Sequence, residues 1–282
     1  MRRILSWTVA ILVIGAIAIG AVWYFSPHTV KSFTQASAEA EPDDVWLDHL
    51  FSQNPTDAAA AAAWVEEIGE DAMPIILQTL RSPQEDRERK KAALKACGIL
   101  GRKALGALDE VRTQLLNDDL TATAAMALSF MGPKALDALV DGLASPHPTV
   151  RRESLRSIGK LRERAPLEAE KIVPLLIGGM SDQDPAVREI AATYLGIVRD
   201  HANESIPVLV MALDDADPMV RHAAANALGE YGPAAEQAAP ALKKASADKD
   251  PEVAREAGRA LVNVAAVAVA TPPRNGSQER RP

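Results

Sequence analysis

The few histidine and cysteine side chains of this sequence are the first place to look for chemistry. There are five histidines and one cysteine, Cys97, which excludes an intrachain disulfide and a cysteine-based zinc site. His201 and Glu204 stand three residues apart and would share one face of a helix. One such pair supplies two ligands where a catalytic metal needs three or more. The spacing therefore predicts a solvated helix start, no metal site and no cofactor.

The short motifs that carry known catalytic chemistry are absent from the sequence. It contains no glycine-rich phosphate loop, no Gly-x-Ser-x-Gly and no His-Glu-x-x-His. Cys97 lies on the apolar stripe of a predicted helix, with no histidine nearby in sequence to activate it, so we expect a buried thiol. We predict no catalytic residue and a protein that is not an enzyme.

The composition favours closely packed helices and argues against nucleic acid as a partner. Hydrophobic residues make up 48% of the chain but aromatic residues only 4%, so small aliphatic side chains must fill the core. The formal net charge is -7. Binding to nucleic acid needs a broad Lys/Arg surface that neutralises phosphates, which an acidic chain does not offer in general.

A long apolar segment lies near the N-terminus. Residues 4–25 carry no charge, and as a helix they would span roughly 33 Å, enough for a hydrocarbon core of about 30 Å. Residues 1–3 contain Arg2 and Arg3, whereas only Lys31 follows the segment closely. The positive-inside rule therefore predicts a single-pass transmembrane helix with a cytoplasmic N-terminus and an extracytoplasmic remainder, on the periplasmic side of the inner membrane in a bacterium.

A cleaved signal peptide is the alternative for this segment, because residues 36–38 have the small-x-small form of a cleavage site. That site lies more than ten residues beyond an apolar run that is longer than usual for a signal peptide, so we favour the anchor. Both interpretations export the rest of the chain. We predict a linker at 26–42, a repeat domain at 43–268 and a disordered tail at 269–282.

Self-similarity dominates the body of the chain. The segments 182–188, 215–221 and 248–254 share the pattern Asp-x-Asp-Pro-x-Val and recur every 33 residues. In each, the second Asp can cap a helix and the Pro can occupy its first position. Apolar residues then follow at helical spacing, which gives two helices per unit. A fixed period of this length predicts an all-α fold, an α-solenoid of about seven helical hairpins.

The boundaries of these hairpins can be set from the turn signals and the apolar spacing. The predicted pairs of first and second helices are 43–52/55–68, 71–81/84–100, 103–116/118–131, 133–144/147–163, 166–180/184–199, 203–214/217–231 and 233–246/250–268.

The Asp-Pro-x-Val-Arg box followed by Ala-Ala-x-x-Leu-Gly resembles the HEAT-repeat family, specifically its short-period branch named after phycobilisome lyases. The resemblance implies that the box arginine bonds acidic groups of neighbouring units and so forms a ladder along the solenoid. The matching positions are Lys90, Arg151, Arg188 and Arg221, with Asp184, Asp217 and Asp250 as the box acids. The pattern fails at Ala58, Thr121 and Ala254, where we expect the ladder to be broken.

The same resemblance leaves an enzymatic alternative. Bilin lyases share this repeat, and deoxyhypusine hydroxylases are similar in fold and hold iron with His-Glu pairs. This sequence has no His-Glu dipeptide and no feature that marks a chromophore site.

The second helices of such repeats line one face of the solenoid, so their stripe at every fourth residue is the candidate binding surface. In the third unit this stripe contains Met126 and Phe130, and in the fourth it contains Arg152, Arg156 and Lys160. Apolar side chains beside basic ones fit an acidic amphipathic segment of another protein. The alternatives are apolar side chains that pack between units, arginines that only solvate a helix, and anionic lipid headgroups as the partner.

These observations predict a non-catalytic, membrane-anchored scaffold that presents a HEAT-like solenoid outside the cytoplasm to another protein. The alternatives are an enzyme or enzyme subunit of the lyase or hydroxylase kind and a purely structural spacer.

Overall fold

A computed structural model describes residues 44–164 and 169–265, and within these ranges the chain is all-helical. Fourteen α-helices follow one another as seven pairs, so that the even-numbered helices are the second helices of the hairpins. The helices are α1 Val45–His49, α2 Pro55–Ile68, α3 Met73–Arg81, α4 Arg87–Leu100, α5 Leu108–Leu115, α6 Thr121–Met131, α7 Leu136–Leu143, α8 Pro148–Arg164, α9 Ala169–Gly179, α10 Pro185–Val198, α11 Ala202–Ala212, α12 Pro218–Tyr231, α13 Ala239–Ala245 and α14 Pro251–Ala265.

Four short 3-10 helices introduce the first helices of units two, three, four and seven. They span Gly69–Ala72, Gly101–Ala107, Pro133–Ala135 and Gly232–Ala238. The glycine that opens three of them follows a second helix and has a positive φ, +55° at Gly232, which only glycine adopts without strain. The chain therefore turns from one hairpin into the next at a residue that the sequence marks.

The starts of the regular second helices are fixed by side-chain caps. The carboxylate of Asp184 accepts a hydrogen bond from the Ala186 N–H at the start of α10, and Asp217 accepts one from Met219 at the start of α12. The proline after each cap takes the first helical position, where no backbone N–H is needed. Local sequence alone is sufficient to start these helices where they start.

Successive second helices pack against one another along the solenoid, and glycine allows the closest approach. α10 packs on α12, and α12 packs on α14. A Cβ placed on Gly196 of α10 would lie 2.7 Å from the Cα of Ala227, closer than atoms tolerate. Gly229 of α12 faces Ala260 in the same way, with a distance of 3.1 Å. The core between helices is therefore built from Gly-on-Ala contacts and small aliphatic side chains.

The observed helices confirm the predicted hairpins in number and order. α2 spans Pro55–Ile68, the same bounds as predicted, and most other second helices agree within a few residues. The first unit differs, because α1 covers only Val45–His49 of the predicted 43–52. The buried Trp46 and Leu47 account for this helix, with the Trp46 ring centroid 5.8 Å from that of Trp64 on α2.

No helix of the described ranges is long and apolar enough to cross a membrane. The predicted transmembrane segment 4–25, the linker 26–42 and the tail 269–282 lie outside those ranges, as does the last part of the predicted repeat domain beyond residue 265.

Candidate functional site

Two apolar side chains of α6 reach solvent. Met126 is 47% exposed and Phe130 is 41% exposed, although most other large apolar side chains of this helix are buried. They stand one helical turn apart, so they share a face of α6. Both side chains therefore keep a large solvent-exposed fraction, and only the remainder of each packs between units.

The neighbouring second helix, α8, supplies the basic side chains. Arg152, Arg156 and Lys160 lie on it at intervals of four residues and are all partly exposed. Glu153, only 8% exposed, receives hydrogen bonds from Arg152 at 3.2 Å and from Arg156 at 2.9 Å. One acid therefore holds two of the three predicted cations, and Lys160 makes no ion pair with any described residue.

The structure adds Arg164, the last residue of α8, to this surface. Its guanidinium carbon lies 4.0 Å from the centroid of the Phe130 ring, and its Nη1 donates to the Ser129 hydroxyl at 3.1 Å. Arg164 continues the stripe of Arg156 and Lys160 by one more turn, so the sequence contained the signal. Arg162 does not belong to this surface, because it pairs with Asp200 and its side chain is mostly buried. We define the docking surface as Met126, Phe130, Arg152, Arg156, Lys160 and Arg164.

A ladder of ion pairs joins the last four units. Each arginine side chain is bidentate to an aspartate of the next unit, with N···O distances of 2.8 Å. The pairs are Arg151 with Asp182, Arg188 with Asp215 and Arg221 with Asp248. The arginine hydrogen bonds hold the pKa of each of these carboxyl groups below its usual range.

Each arginine also closes its own loop. Nη1 of Arg188 donates to the carbonyl oxygens of Asp182 and Gln183, and Arg151 and Arg221 make the equivalent pairs of bonds. The predicted arginines are therefore structural, as expected. The predicted acids are corrected, because the second aspartate of each box caps its own helix and the first one accepts the ladder bonds. The capping residues are Asp184, Asp217 and Asp250.

The first units do not continue the ladder. Lys90 makes no ion pair with the described residues; instead Arg87, three residues earlier, meets Asp119 at 3.2 Å, where both side chains are exposed. Thr121 stands at the arginine position of unit three, and its hydroxyl donates to the carbonyl oxygens of Leu115 and Asn117. Thr121 thus closes its own loop as the arginines do but reaches no neighbouring unit. The assignment of Lys90 to the ladder was wrong.

The residues first considered for chemistry are placed in structural roles. Cys97 is fully buried, and burial raises the pKa of its thiol to about 12, which leaves no thiolate at neutral pH. His201 Nδ1 lies 3.2 Å from a carboxylate oxygen of Glu204 at the exposed start of α11. Across residues 44–164 and 169–265, no three His, Cys, Asp or Glu side chains come together as a set of metal ligands.

Comparison with known protein families identifies the repeat. A family profile described as HEAT repeats matches residues 136–218 and 173–262, the part of the chain that contains the ladder. The match names no subtype and no activity. No curated protein matches the sequence.

Solved structures support the same fold over a longer stretch. One is the structure in which Kap95p binding induces the switch loops of RanGDP to adopt the GTP-bound conformation, with 14% identity and a TM-score of 0.54, covering 85% of this chain and 38% of that chain. Another is a Kap121p mutant, with 15% identity and a TM-score of 0.53 over 84% of this chain and 29% of that one. An engineered protein shares 21% identity over 84% of this chain and 70% of its own length, with a TM-score of 0.48.

At 14% and 15% identity, the Kap95p and Kap121p matches show a shared fold alone, and this chain covers 38% and 29% of those two chains. The helical hairpins and the family profile are consistent: residues 44–164 and 169–265 form an all-helical solenoid, and its part at residues 136–262 matches HEAT repeats.

Proposed function

We propose that this protein is a non-catalytic scaffold whose docking surface binds another protein. The observation that carries the proposal is the exposure of Met126 and Phe130 beside the cations of α8. Exposed apolar side chains next to charged ones are typical of interaction sites. A solenoid suits this function because its side chains are held in a fixed array by neighbouring repeats. Kap95p, whose structure has this fold, binds RanGDP.

The charge of α8 indicates the chemistry of the partner. This helix has six basic residues and two acidic ones, in a chain whose net charge is -7. Such a local excess attracts acidic groups and repels basic ones, which favours a partner with an acidic segment. An amphipathic helix would bring apolar side chains to α6 and carboxylates to α8 at the same time.

The proposal includes the membrane. The uncharged segment 4–25 and the arginines before it support an anchor with the solenoid outside the cytoplasm. A reporter domain fused after residue 282 tests the topology. Activity of a reporter that works only outside the cytoplasm supports it, and activity of one that works only in the cytoplasm contradicts it.

In-cell crosslinking of the full chain, followed by mass spectrometry, tests docking. The test variant carries Phe130→Asp, Arg152→Glu and Arg156→Glu. A control variant carries Met211→Asp and Arg255→Glu, one apolar-to-acid and one charge-reversing change, because Met211 is 68% exposed and Arg255 is exposed on α14, both away from the docking surface. Circular dichroism and urea unfolding must show that both variants fold.

A partner that the wild type and the control capture, and that the folded test variant loses, supports docking at this surface. Capture by all three proteins contradicts that location. If no protein captures a partner, the chain acts as a spacer or on small molecules, and the proposed function fails.

A further inference from the structure

Arg164 differs from the other arginines of α8 in what it contacts. Arg151 is bound to Asp182, Arg162 to Asp200, and Arg156 to Glu153. Arg164 makes no ion pair with a described carboxylate; its contacts are the Phe130 ring and the Ser129 hydroxyl. No acid of the described residues therefore neutralises this guanidinium, and Arg164 is exposed.

The position of the Arg164 guanidinium over the Phe130 ring favours binding of a planar anion such as a carboxylate. At 4.0 Å from the ring centroid, one face of the group is covered by Phe130, and Nη1 donates to Ser129, while the residue as a whole remains exposed. A carboxylate binds such an edge with two parallel hydrogen bonds, which a lysine ammonium cannot reproduce. Because Phe130 and Ser129 already restrict the side chain, less conformational entropy is lost when the anion binds.

Lys160 stands one turn before Arg164 on the same helix, and residues four apart are neighbours on a helix surface. It makes no ion pair with any residue that the structure describes. Burial raises the pKa of the Tyr194 phenol on α10, Glu163 and Glu153 raise it further, and Arg156 and Arg164 lower it. Acids and cations are therefore both present at this end of α8, and Arg164 is distinguished by its contacts with Phe130 and Ser129.

The apolar side chains complete the pattern. Met126 and Phe130 present an exposed apolar strip on α6, and Arg164 bridges from α8 to the end of that strip. A ligand that reaches both must carry an apolar group and a carboxylate about one helical turn apart. An acidic amphipathic helix has that spacing at residues three or four apart.

We propose that Arg164 and Lys160 form a carboxylate-binding subsite, and that the partner is an acidic amphipathic helix with a Glu or Asp three or four residues from the apolar side chain that covers Met126 and Phe130. This inference rests on the proposed function and adds to it the residue that recognises the acid. Arg164 acts as the bidentate donor, and Lys160 adds charge.

The test uses a synthetic 16-residue peptide with Leu at helical spacing and Glu on one flank, and a matched peptide with Gln in place of every Glu. Fluorescence anisotropy measures their binding to the full chain in detergent. We expect the Glu peptide to bind the wild type about tenfold or more tightly than the Gln peptide. Arg164→Ala is expected to remove most of that difference, and Lys160→Gln a smaller part.

Two further variants separate the effect of the positive charge of Arg164 from that of its planar guanidinium and control for the loss of an exposed arginine. Arg164→Lys keeps the charge and loses the planar fork, so we expect it to bind the Glu peptide more weakly than the wild type but better than Arg164→Ala. Arg255→Ala removes an exposed arginine of α14 that pairs with Glu252, and we expect it to bind as the wild type does.

Several results would overturn this inference. They are unchanged binding of the Glu peptide by Arg164→Ala, equal affinity of the wild type for the Glu and Gln peptides, and no binding of either peptide. A chain that binds phosphatidylglycerol vesicles through Arg164, and no peptide, would show a lipid surface instead. When the peptide results overturn the inference but in-cell crosslinking captures a partner at the docking surface, the proposed function stands; when crosslinking captures none, both fail.

Discussion

The two halves of this solenoid solve the same packing problem with different residues. From Arg151 onward, each junction between units carries a bidentate arginine–aspartate pair with N···O distances of 2.8 Å. In the first units, neither partner of the pair is present at the equivalent positions. At the first three junctions the arginine position holds Ala58, Lys90 and Thr121. The matching aspartate position of the next unit holds Gln84, Leu115 and Ser145.

This difference shows what the ladder does. In the second half, each arginine joins its own loop to an aspartate of the next unit. In the first half, apolar packing and exposed pairs such as Arg87 with Asp119 hold the units together. The docking surface lies on α6 and α8, at the junction where Thr121 and Ser145 replace both ladder residues. The proposed docking surface therefore lies at the last junction before the ladder begins.

The largest expected effect comes from breaking one rung. Arg188→Met removes the bonds to Asp215 and to the carbonyl oxygens of its own loop, and leaves a mostly buried carboxylate unpaired. We expect the free energy of unfolding to fall by about 2–3 kcal/mol. Urea unfolding followed by circular dichroism measures it. Lys90→Met is the control, with an expected change within about 0.5 kcal/mol, and equal losses for both variants would contradict the comparison.

The second effect concerns the close approach of the regular helices. Gly196→Ala places a methyl group 2.7 Å from the Cα of Ala227, so α10 and α12 must move apart, which should cost about 1–3 kcal/mol. Gly258 on α14 has open space around it, and Gly258→Ala should stabilise by about 0.5–1 kcal/mol through higher helix propensity. Thermal unfolding of both variants tests the contrast, and a loss at Gly258 as large as at Gly196 would argue against it.

The third effect is a loss of stability in acid. The folded pKa values of Asp182, Asp215 and Asp248 are lowered by their arginine partners. Their stabilising contribution is therefore complete above the ordinary pKa of about 3.9 and is lost as the pH falls through the lowered values. Urea unfolding between pH 6 and pH 2 measures this dependence. Asp215→Asn should be less stable at pH 6 and show a shallower decline, and an unchanged decline would contradict this origin.

The smallest effect is chemical. Cys97 is fully buried with its thiol pKa raised to about 12, so we expect no reaction with a thiol reagent in the native protein and complete reaction in urea. The absorbance of the thiolate released from the reagent measures the reaction of Cys97. Rapid labelling of native protein would mean that α4 opens readily, which would place the lowest local stability in the first half.

The fold was predictable because repetition makes weak local signals add up. One Asp-Pro dipeptide is ambiguous, but the copies at 184, 217 and 250 set the period and the helix starts together. The docking surface was predictable only in part. Spacing placed Met126, Phe130 and the α8 cations on neighbouring helices, but the pairing of Arg152 and Arg156 with Glu153 depends on rotamers that spacing does not specify.

The ladder acids show the same limit. The pattern assigned the second aspartate of a box to the helix cap and also to the ladder, because both aspartates are close in sequence and local spacing does not show which one reaches the preceding unit. The structure separates them, because the residue next to proline must turn into the helix and keeps its carboxylate there. The spacing of Arg156, Lys160 and Arg164 places Arg164 on the same stripe, but its contact with Phe130 of another unit is one that no local pattern contains.

The central claim is that the partner binds at α6 and α8, and site-specific photocrosslinking tests it most directly. A photoreactive amino acid replaces Met126 in one variant of the full chain and Met219, which is 56% exposed on α12, in the other. After irradiation in cells, we predict a specific adduct from position 126 that disappears when Arg164→Ala is added, and none from position 219. No adduct from position 126, or the same adducts from both positions, would contradict the account.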